Sequence, residues 1–160
     1  MTIPPKEQRP AQRVIALLLI GSANALVVVS ALDYRFAWSH VPPIVSVIGD
    51  LLVALGIFVM LLTFRANTYG GASVEVVEGQ TVISTGPYSL VRHPMYVAAL
   101  VMSVGVPLAL ASWWGLLAVA GVIAALIWRI FDEEKLLRSD LPGYTDYTQH
   151  VRYRLMPFVW

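Results

Sequence analysis

The chain has 160 residues, of which 58% are hydrophobic and only 13% charged, whereas a soluble domain has about 25% charged residues. A chain this short has too little interior to bury so much apolar surface, and this favours an integral membrane protein. The absence of cysteine excludes disulfides and a cysteine nucleophile, and the net charge of +1 gives no reason to expect nucleic-acid binding.

Four helices are predicted to cross the membrane, since each crossing needs about 20 apolar residues. Residues 14–32 and 43–64 supply the first two. Residues 95–128 contain no charge, but one helix of that length would measure about 51 Å and exceed the roughly 30 Å hydrocarbon core. We therefore expect this stretch to fold back near Pro107 and residues 112–115, so that the third and fourth helices form a tight hairpin. The predicted fold class is an all-α integral membrane protein.

Lysine and arginine are distributed unequally along this predicted bundle. Ten of the eleven lie before the first helix, between the second and third, or after the fourth, and only Arg35 lies in the first connection. The positive-inside rule places such basic segments in the cytoplasm. We therefore expect a multi-pass protein with both termini in the cytoplasm. The loop 65–94 and the tail 129–160 would form a site on the same side.

The loop before the third helix carries local signals of its own. Residues 73–84 alternate around a turn at Gly79, which weakly indicates a β-hairpin. Pro94 suits the first turn of a helix, which places His93 at the start of the third helix and Tyr96 one turn inside it. Amide groups that are free at such a helix end attract anions such as a carboxylate.

Several motifs of this chain, in this order, resemble those of one enzyme superfamily. They are a Gly-Gln…Gly-Pro-Tyr segment at 79–88, Arg-His-Pro-Met-Tyr at 92–96, Arg129 followed by a Glu-Glu pair at 133–134, and a late Tyr-x-x-Tyr. They resemble the isoprenylcysteine carboxyl methyltransferase and phospholipid methyltransferase superfamily, whose members are membrane enzymes that use S-adenosyl-L-methionine. The length of the chain predicts a single membrane domain over residues 1–160, and hydropathy predicts an N-terminal helix pair over residues 1–64. The resemblance covers residues 65–160, which would form a methyltransferase-like catalytic part.

The resemblance also implies roles for individual residues. The cofactor pocket would be formed by the following side chains: Gln80, Thr81, Val82, Ile83, Tyr88, His93, Pro94, Met95, Tyr96 and Glu133. Arg129, one helical turn before Glu133, would orient an anionic acceptor, and Arg92 is the second catalytic candidate. Gln80 stands where the superfamily usually has histidine, and Ala98 where it usually has glycine. The acceptor therefore stays open among a carboxylate, a thiol and an amine.

The sequence thus predicts methyl transfer from S-adenosyl-L-methionine to a lipid-soluble acceptor, by a protein in contact with membrane lipids. Two alternatives stay open: a small membrane reductase that uses a nicotinamide cofactor, and a non-catalytic membrane scaffold. His93, His150 and Glu133 match no strong metal-binding motif, so no metal is expected.

Some charged residues have simpler interpretations. Glu133 and Arg129 have the i,i+4 spacing of an ordinary surface pair. Asp50, inside the second apolar segment, receives no role. The remaining charges at the end of the fourth helix are interpreted as a solvated face; they are Asp132, Glu134, Lys135 and Arg138.

Overall fold

The computed structural model describes residues 10–67, 69, 76 and 79–160, and all regular secondary structure within them is helical. Its longer helices are α1 (Pro10–Phe36), α2 (Pro43–Ala66), α3 (Pro94–Ala109) and α4 (Gly115–Asp140). A single 3-10 turn (Gly86–Ser89) precedes α3, and a short helix α5 (Tyr144–His150) follows α4. The predicted all-helical class is therefore confirmed over the described residues.

Among the described residues, three helices are long and apolar enough to cross a membrane: α1, α2 and α4. Helix α3 is also apolar, but its 16 residues reach only about 24 Å at 1.5 Å per residue. The long uncharged stretch is interrupted where predicted, because α3 ends at Ala109 and α4 begins at Gly115. The three spans support a membrane protein.

Helix α2 packs mainly on α3, and α1 packs mainly on α4. Close backbone approach explains the first pairing, because a Cβ atom at Gly49 would clash with the Ala109 backbone and one at Gly56 with the Met102 side chain. Gly49 and Gly56 are seven residues apart and face the same neighbour, as helical periodicity requires. The start of α2 therefore lies beside the end of α3, and the two helices are antiparallel.

The outward faces of the helices are apolar, as a lipid environment requires. Large exposed side chains on three different helices include Leu17, Ile44, Leu51 and Leu117. Exposed apolar surface on this scale is unusual for a soluble monomer. These faces are consistent with contact between the helices and membrane lipids.

The predicted β-hairpin is absent from the part of the loop that the structure describes. Residues 81–84 form no strand, and the first arm of the hairpin lies outside the described residues except for Val76. Val76 and Val82 instead pack against a buried cluster that includes Tyr144 and Tyr147 of α5. Val76 and Val82 are thus partly buried against a helix and need no partner strand.

A buried group of polar side chains lies at the end of the bundle where α1 ends and α2 begins. Asp33 is fully buried and accepts hydrogen bonds from the Ser39 amide at 2.8 Å, the Ser39 hydroxyl at 2.7 Å and the Ser112 hydroxyl at 2.6 Å. We call these three residues the Asp33 cluster. It ties the α1–α2 connection to the α3–α4 connection.

Candidate functional site

A cavity lies at the opposite end of the bundle, between the loop after residue 79, the start of α3, the end of α4, and α5. Eleven of the twelve side chains predicted for the site line this cavity: Gln80, Thr81, Val82, Ile83, Tyr88, Arg92, His93, Met95, Tyr96, Arg129 and Glu133. Pro94 is the exception, because it is buried in the first turn of α3. Residues that are up to 53 positions apart in the chain, from Gln80 to Glu133, are thus brought together.

Tyr96 joins the two predicted site residues of α4. Its hydroxyl donates to Glu133 Oε2 at 2.5 Å and accepts a hydrogen bond from Arg129 Nε at 2.9 Å. Arg129 and Glu133 share one face of α4 through their i,i+4 spacing, while Tyr96 comes from the first turns of α3. An ordinary surface pair has no such shared partner from another helix, so these residues form a connected group in the cavity wall.

His93, at the start of α3, lies between Glu133 and Glu134 of α4. Its ring stacks on Tyr96 with centroids 5.4 Å apart and an angle of 11° between the planes. The Nε2 atom lies 3.3 Å from Glu134 Oε1, and Nδ1 lies 4.0 Å from Glu133 Oε2. These contacts hold the buried imidazole in one orientation at the cavity wall.

Two backbone amides at the start of α3, where an anion site was predicted, are already hydrogen-bonded. The His93 amide donates to the Arg154 carbonyl oxygen at 3.0 Å, and the Arg92 amide donates to the Tyr153 carbonyl oxygen at 2.9 Å. Pro94 has no amide hydrogen to offer. The segment after α5 covers this helix end, so the amides of Arg92 and His93 are not free to bind an anion.

Glu134 was wrongly interpreted as part of a solvated face, since it is only 4% exposed. Arg154 binds it with two hydrogen bonds, from Nε to Oε1 at 3.2 Å and from Nη2 to Oε2 at 3.1 Å. Arg92 Nε lies 3.1 Å from Oε1, and Arg138 Nη2 lies 3.9 Å from Oε2. The burial comes from residues distant in the sequence, and for this reason the local run of charges did not reveal it.

The sequence-based prediction missed six further residues that line the cavity: Asn67, Tyr69, Leu137, Leu141, Tyr144 and Tyr147. The Asn67 amide donates to the Tyr88 hydroxyl at 2.9 Å, and the Tyr147 hydroxyl donates to the Tyr88 carbonyl oxygen at 2.7 Å. The late Tyr-x-x-Tyr spacing was the available signal, since an i,i+3 pair shares one helix face. Asn67 had no such signal.

Three tyrosines of the cavity wall, Tyr88, Tyr144 and Tyr147, stay neutral. Burial raises the pKa of the Tyr88 phenol, although the hydrogen bond from Asn67 opposes this effect. Burial also raises the pKa values of Tyr144 and Tyr147. An ordinary tyrosine titrates near pH 10, so all three hydroxyls can donate hydrogen bonds at neutral pH. Among the described residues, no group of three or more histidine, aspartate and glutamate side chains is arranged to hold a metal ion.

Comparison with known proteins identifies one matching family. The phospholipid methyltransferase family matches residues 44–140, which include all of α2 but its first residue, all of α3 and α4, and most of the cavity wall. The cobalt-zinc-cadmium resistance protein CzcN of Cupriavidus metallidurans is 29% identical over 109 residues, which are 65% of this chain and 49% of CzcN. The chain thus spans about half the length of that relative. No solved structure matches the chain.

Proposed function

Because the chain belongs to the phospholipid methyltransferase family, we propose that it transfers a methyl group from S-adenosyl-L-methionine to a lipid-soluble acceptor. Family membership implies a membrane methyltransferase, and the cofactor and the class of acceptor are the proposed part. The observation that carries the proposal is the convergence of Gln80–Ile83, the start of α3 and the end of α4 on one cavity. The superfamily resemblance assigns the cofactor to these same three segments.

The side chains of the cavity suit the parts of this cofactor. Glu133 offers a carboxylate for an ammonium group or for ribose hydroxyls, and Val82, Ile83 and Leu137 offer apolar surface for an adenine ring. The Tyr144 hydroxyl is buried without a hydrogen-bond partner among the described residues. Buried polar groups are rarely left unpaired in proteins. This hydroxyl is therefore a position that a polar ligand would complete.

The chemistry requires positioning more than a reactive side chain. The bound cofactor supplies a methyl group on a positively charged sulfur, and its transfer is an in-line displacement that needs no covalent enzyme intermediate. The rate gain then comes from orientation and from exclusion of water. Arg129, held by Tyr96, would orient an anionic acceptor, and Tyr96 also fixes the Glu133 carboxylate. Carboxylates, thiols and amines all remain acceptor candidates.

The proposal includes the topology that the basic residues predict. Helix α3 would be a short fourth crossing that forms a hairpin with α4, and the cavity would open at the cytoplasmic face beside the membrane lipids. Reporter fusions after Trp160 and near Arg35 should then report cytoplasmic and external locations, respectively. The same location for both fusions would contradict this topology.

The proposed use of S-adenosyl-L-methionine is tested by measuring ligand binding to the purified protein in detergent. We expect S-adenosylhomocysteine, the product of the cofactor, to bind in calorimetric titration and to raise the melting temperature, whereas NADPH should do neither. Glu133→Ala should weaken this binding at least tenfold, on the order of one charge-assisted contact. The matched control is Asp132→Ala, because Asp132 is adjacent and contacts Gln12 outside the cavity.

The other outcomes separate the alternatives. Stabilisation by NADPH alone would indicate a nicotinamide-dependent reductase, and the absence of any effect from either compound would favour a non-catalytic scaffold. Once the cofactor binds, incubation with radiolabelled S-adenosyl-L-methionine and membrane lipid extracts should identify the acceptor as a labelled lipid-soluble product.

A further inference from the structure

Two arginines, Arg92 and Arg154, share the buried carboxylate of Glu134 beside the cavity. Arg154 contacts both oxygens of Glu134, and Arg92 approaches one of them at 3.1 Å. The neighbouring carboxylate, Glu133, is engaged by Tyr96. Arg92 is only 7% exposed and shares Glu134 with Arg154. A buried guanidinium that shares its counter-charge in this way favours a further anion.

Tyr144 provides a second, independent indication of a missing partner. Its side chain is only 4% exposed, lines the cavity, and has a hydroxyl without any hydrogen-bond partner among the described residues. The Nε atom of Arg92 also makes no hydrogen bond of good geometry. Burial raises the pKa of Tyr144, so its hydroxyl keeps the proton that it would donate. Two buried residues with unpaired donor atoms therefore line the same cavity.

Other positions for an anion are less suitable. At the start of α3, the His93 amide is bonded to the Arg154 carbonyl oxygen, and Pro94 has no amide hydrogen. Arg129 donates a hydrogen bond to the Tyr96 hydroxyl, and the proposed function assigns Arg129 to the acceptor. Arg92 and Tyr144 remain as two buried donors that line the cavity.

We infer that Tyr144 and Arg92 bind the carboxylate at the amino-acid end of S-adenosyl-L-methionine. This inference rests on the proposed function and deepens it. Glu133, in the same cavity, supplies the opposite charge for the ammonium group of the same amino-acid end. With this assignment, Arg92 binds the cofactor and is no longer a candidate catalytic residue. Arg129 alone then orients the acceptor.

The test compares two ligands that differ only in the carboxylate: S-adenosylhomocysteine and its decarboxylated analogue, S-adenosyl-3-thiopropylamine. Tyr144→Phe removes a hydroxyl that has no partner within the described protein, so the variant should melt at the wild-type temperature without ligand. In calorimetric titration it should bind S-adenosylhomocysteine roughly tenfold more weakly, the usual size of a hydrogen bond to a charged group. Its affinity for the decarboxylated analogue should be unchanged.

Tyr147→Phe is the matched control, because Tyr147 lines the same cavity but its hydroxyl already donates to the Tyr88 carbonyl oxygen. It should change the affinities for both ligands by the same factor. Wild-type affinity of Tyr144→Phe for S-adenosylhomocysteine, or equal losses for both ligands, would overturn the carboxylate site while leaving the proposed function intact. Failure of the wild-type protein to bind S-adenosylhomocysteine would overturn both.

Discussion

Two buried carboxylates lie at opposite ends of this helical bundle, and their surroundings differ in kind. Asp33 accepts hydrogen bonds from the neutral donors of Ser39 and Ser112 and does not line the cavity. Glu134 is surrounded by Arg92, Arg154 and His93, of which Arg92 and His93 line the cavity. We call Glu134 and these three partners the Glu134 cluster.

The contrast shows how a structural acid differs from one that supports a site. The Asp33 cluster contains matched donors and acceptors, so it joins two connections and needs nothing more. The Glu134 cluster has two arginines for one carboxylate, and the Nε atom of Arg92 makes no hydrogen bond. Arg92 therefore keeps a donor that a ligand in the cavity can use. Burial of an acid alone therefore does not indicate function; the charge balance around it and an adjoining cavity do.

The largest effect should come from Glu134→Ala. It removes the carboxylate shared by Arg92 and Arg154, and breaking a buried ion pair in this way costs about 3–5 kcal/mol. We expect a greatly reduced yield and melting temperature in detergent. Arg138→Ala is the control, since its guanidinium is 3.9 Å away and its side chain is 45% exposed; it should change the stability little. Equal effects of the two substitutions would contradict a special role for the Glu134 cluster.

A smaller effect is expected at the other end, from Asp33→Asn. The amide nitrogen would replace an oxygen that accepts hydrogen bonds from Ser39 and Ser112, which should cost about 1–3 kcal/mol of stability. Binding of S-adenosylhomocysteine by the folded fraction should be unchanged, because the Asp33 cluster is at the far end of the bundle. Asp50→Asn, at an exposed position of α2, should change neither property. Loss of ligand affinity in Asp33→Asn at full stability would remove the distinction between the two ends.

Arg129 differs from the Glu134 cluster, because it is expected to act on the acceptor and not to support the fold. Lysine at position 129 keeps the charge but lacks the planar donor group that reaches Tyr96. We expect Arg129→Lys to retain folding and cofactor affinity while turnover falls by about tenfold or more, which corresponds to one charge-assisted contact.

Turnover of radiolabelled cofactor with the identified acceptor measures this effect. Arg65→Lys, at an exposed position near the end of α2, is the control and should leave turnover unchanged. Wild-type turnover in Arg129→Lys would reduce Arg129 to an anchor at the membrane surface, where lysine serves equally well.

The adjacent residues Glu133 and Glu134 differ in how well the sequence predicted their surroundings. The spacing from Arg129 to Glu133 placed both on one face of α4, and both line the cavity. The same helical periodicity gave Glu134 no partner within α4 other than Arg138. Arg154, which binds Glu134 through two hydrogen bonds, lies 20 positions further along the chain, and local patterns contain no information about such a contact.

The amino-acid sequence was sufficient to predict the apolar helices, the break between α3 and α4, the superfamily, and eleven side chains of the cavity wall. These features depend on hydropathy, on helical periodicity and on short ordered motifs, all of which are local properties of a chain. Three features became visible only in the folded protein: Glu134 is buried, the segment after α5 covers the start of α3, and Tyr144, which lines the cavity, has an unpaired hydroxyl. Each depends on packing between segments distant in the sequence, because burial and unmet hydrogen bonds are defined only once those segments meet.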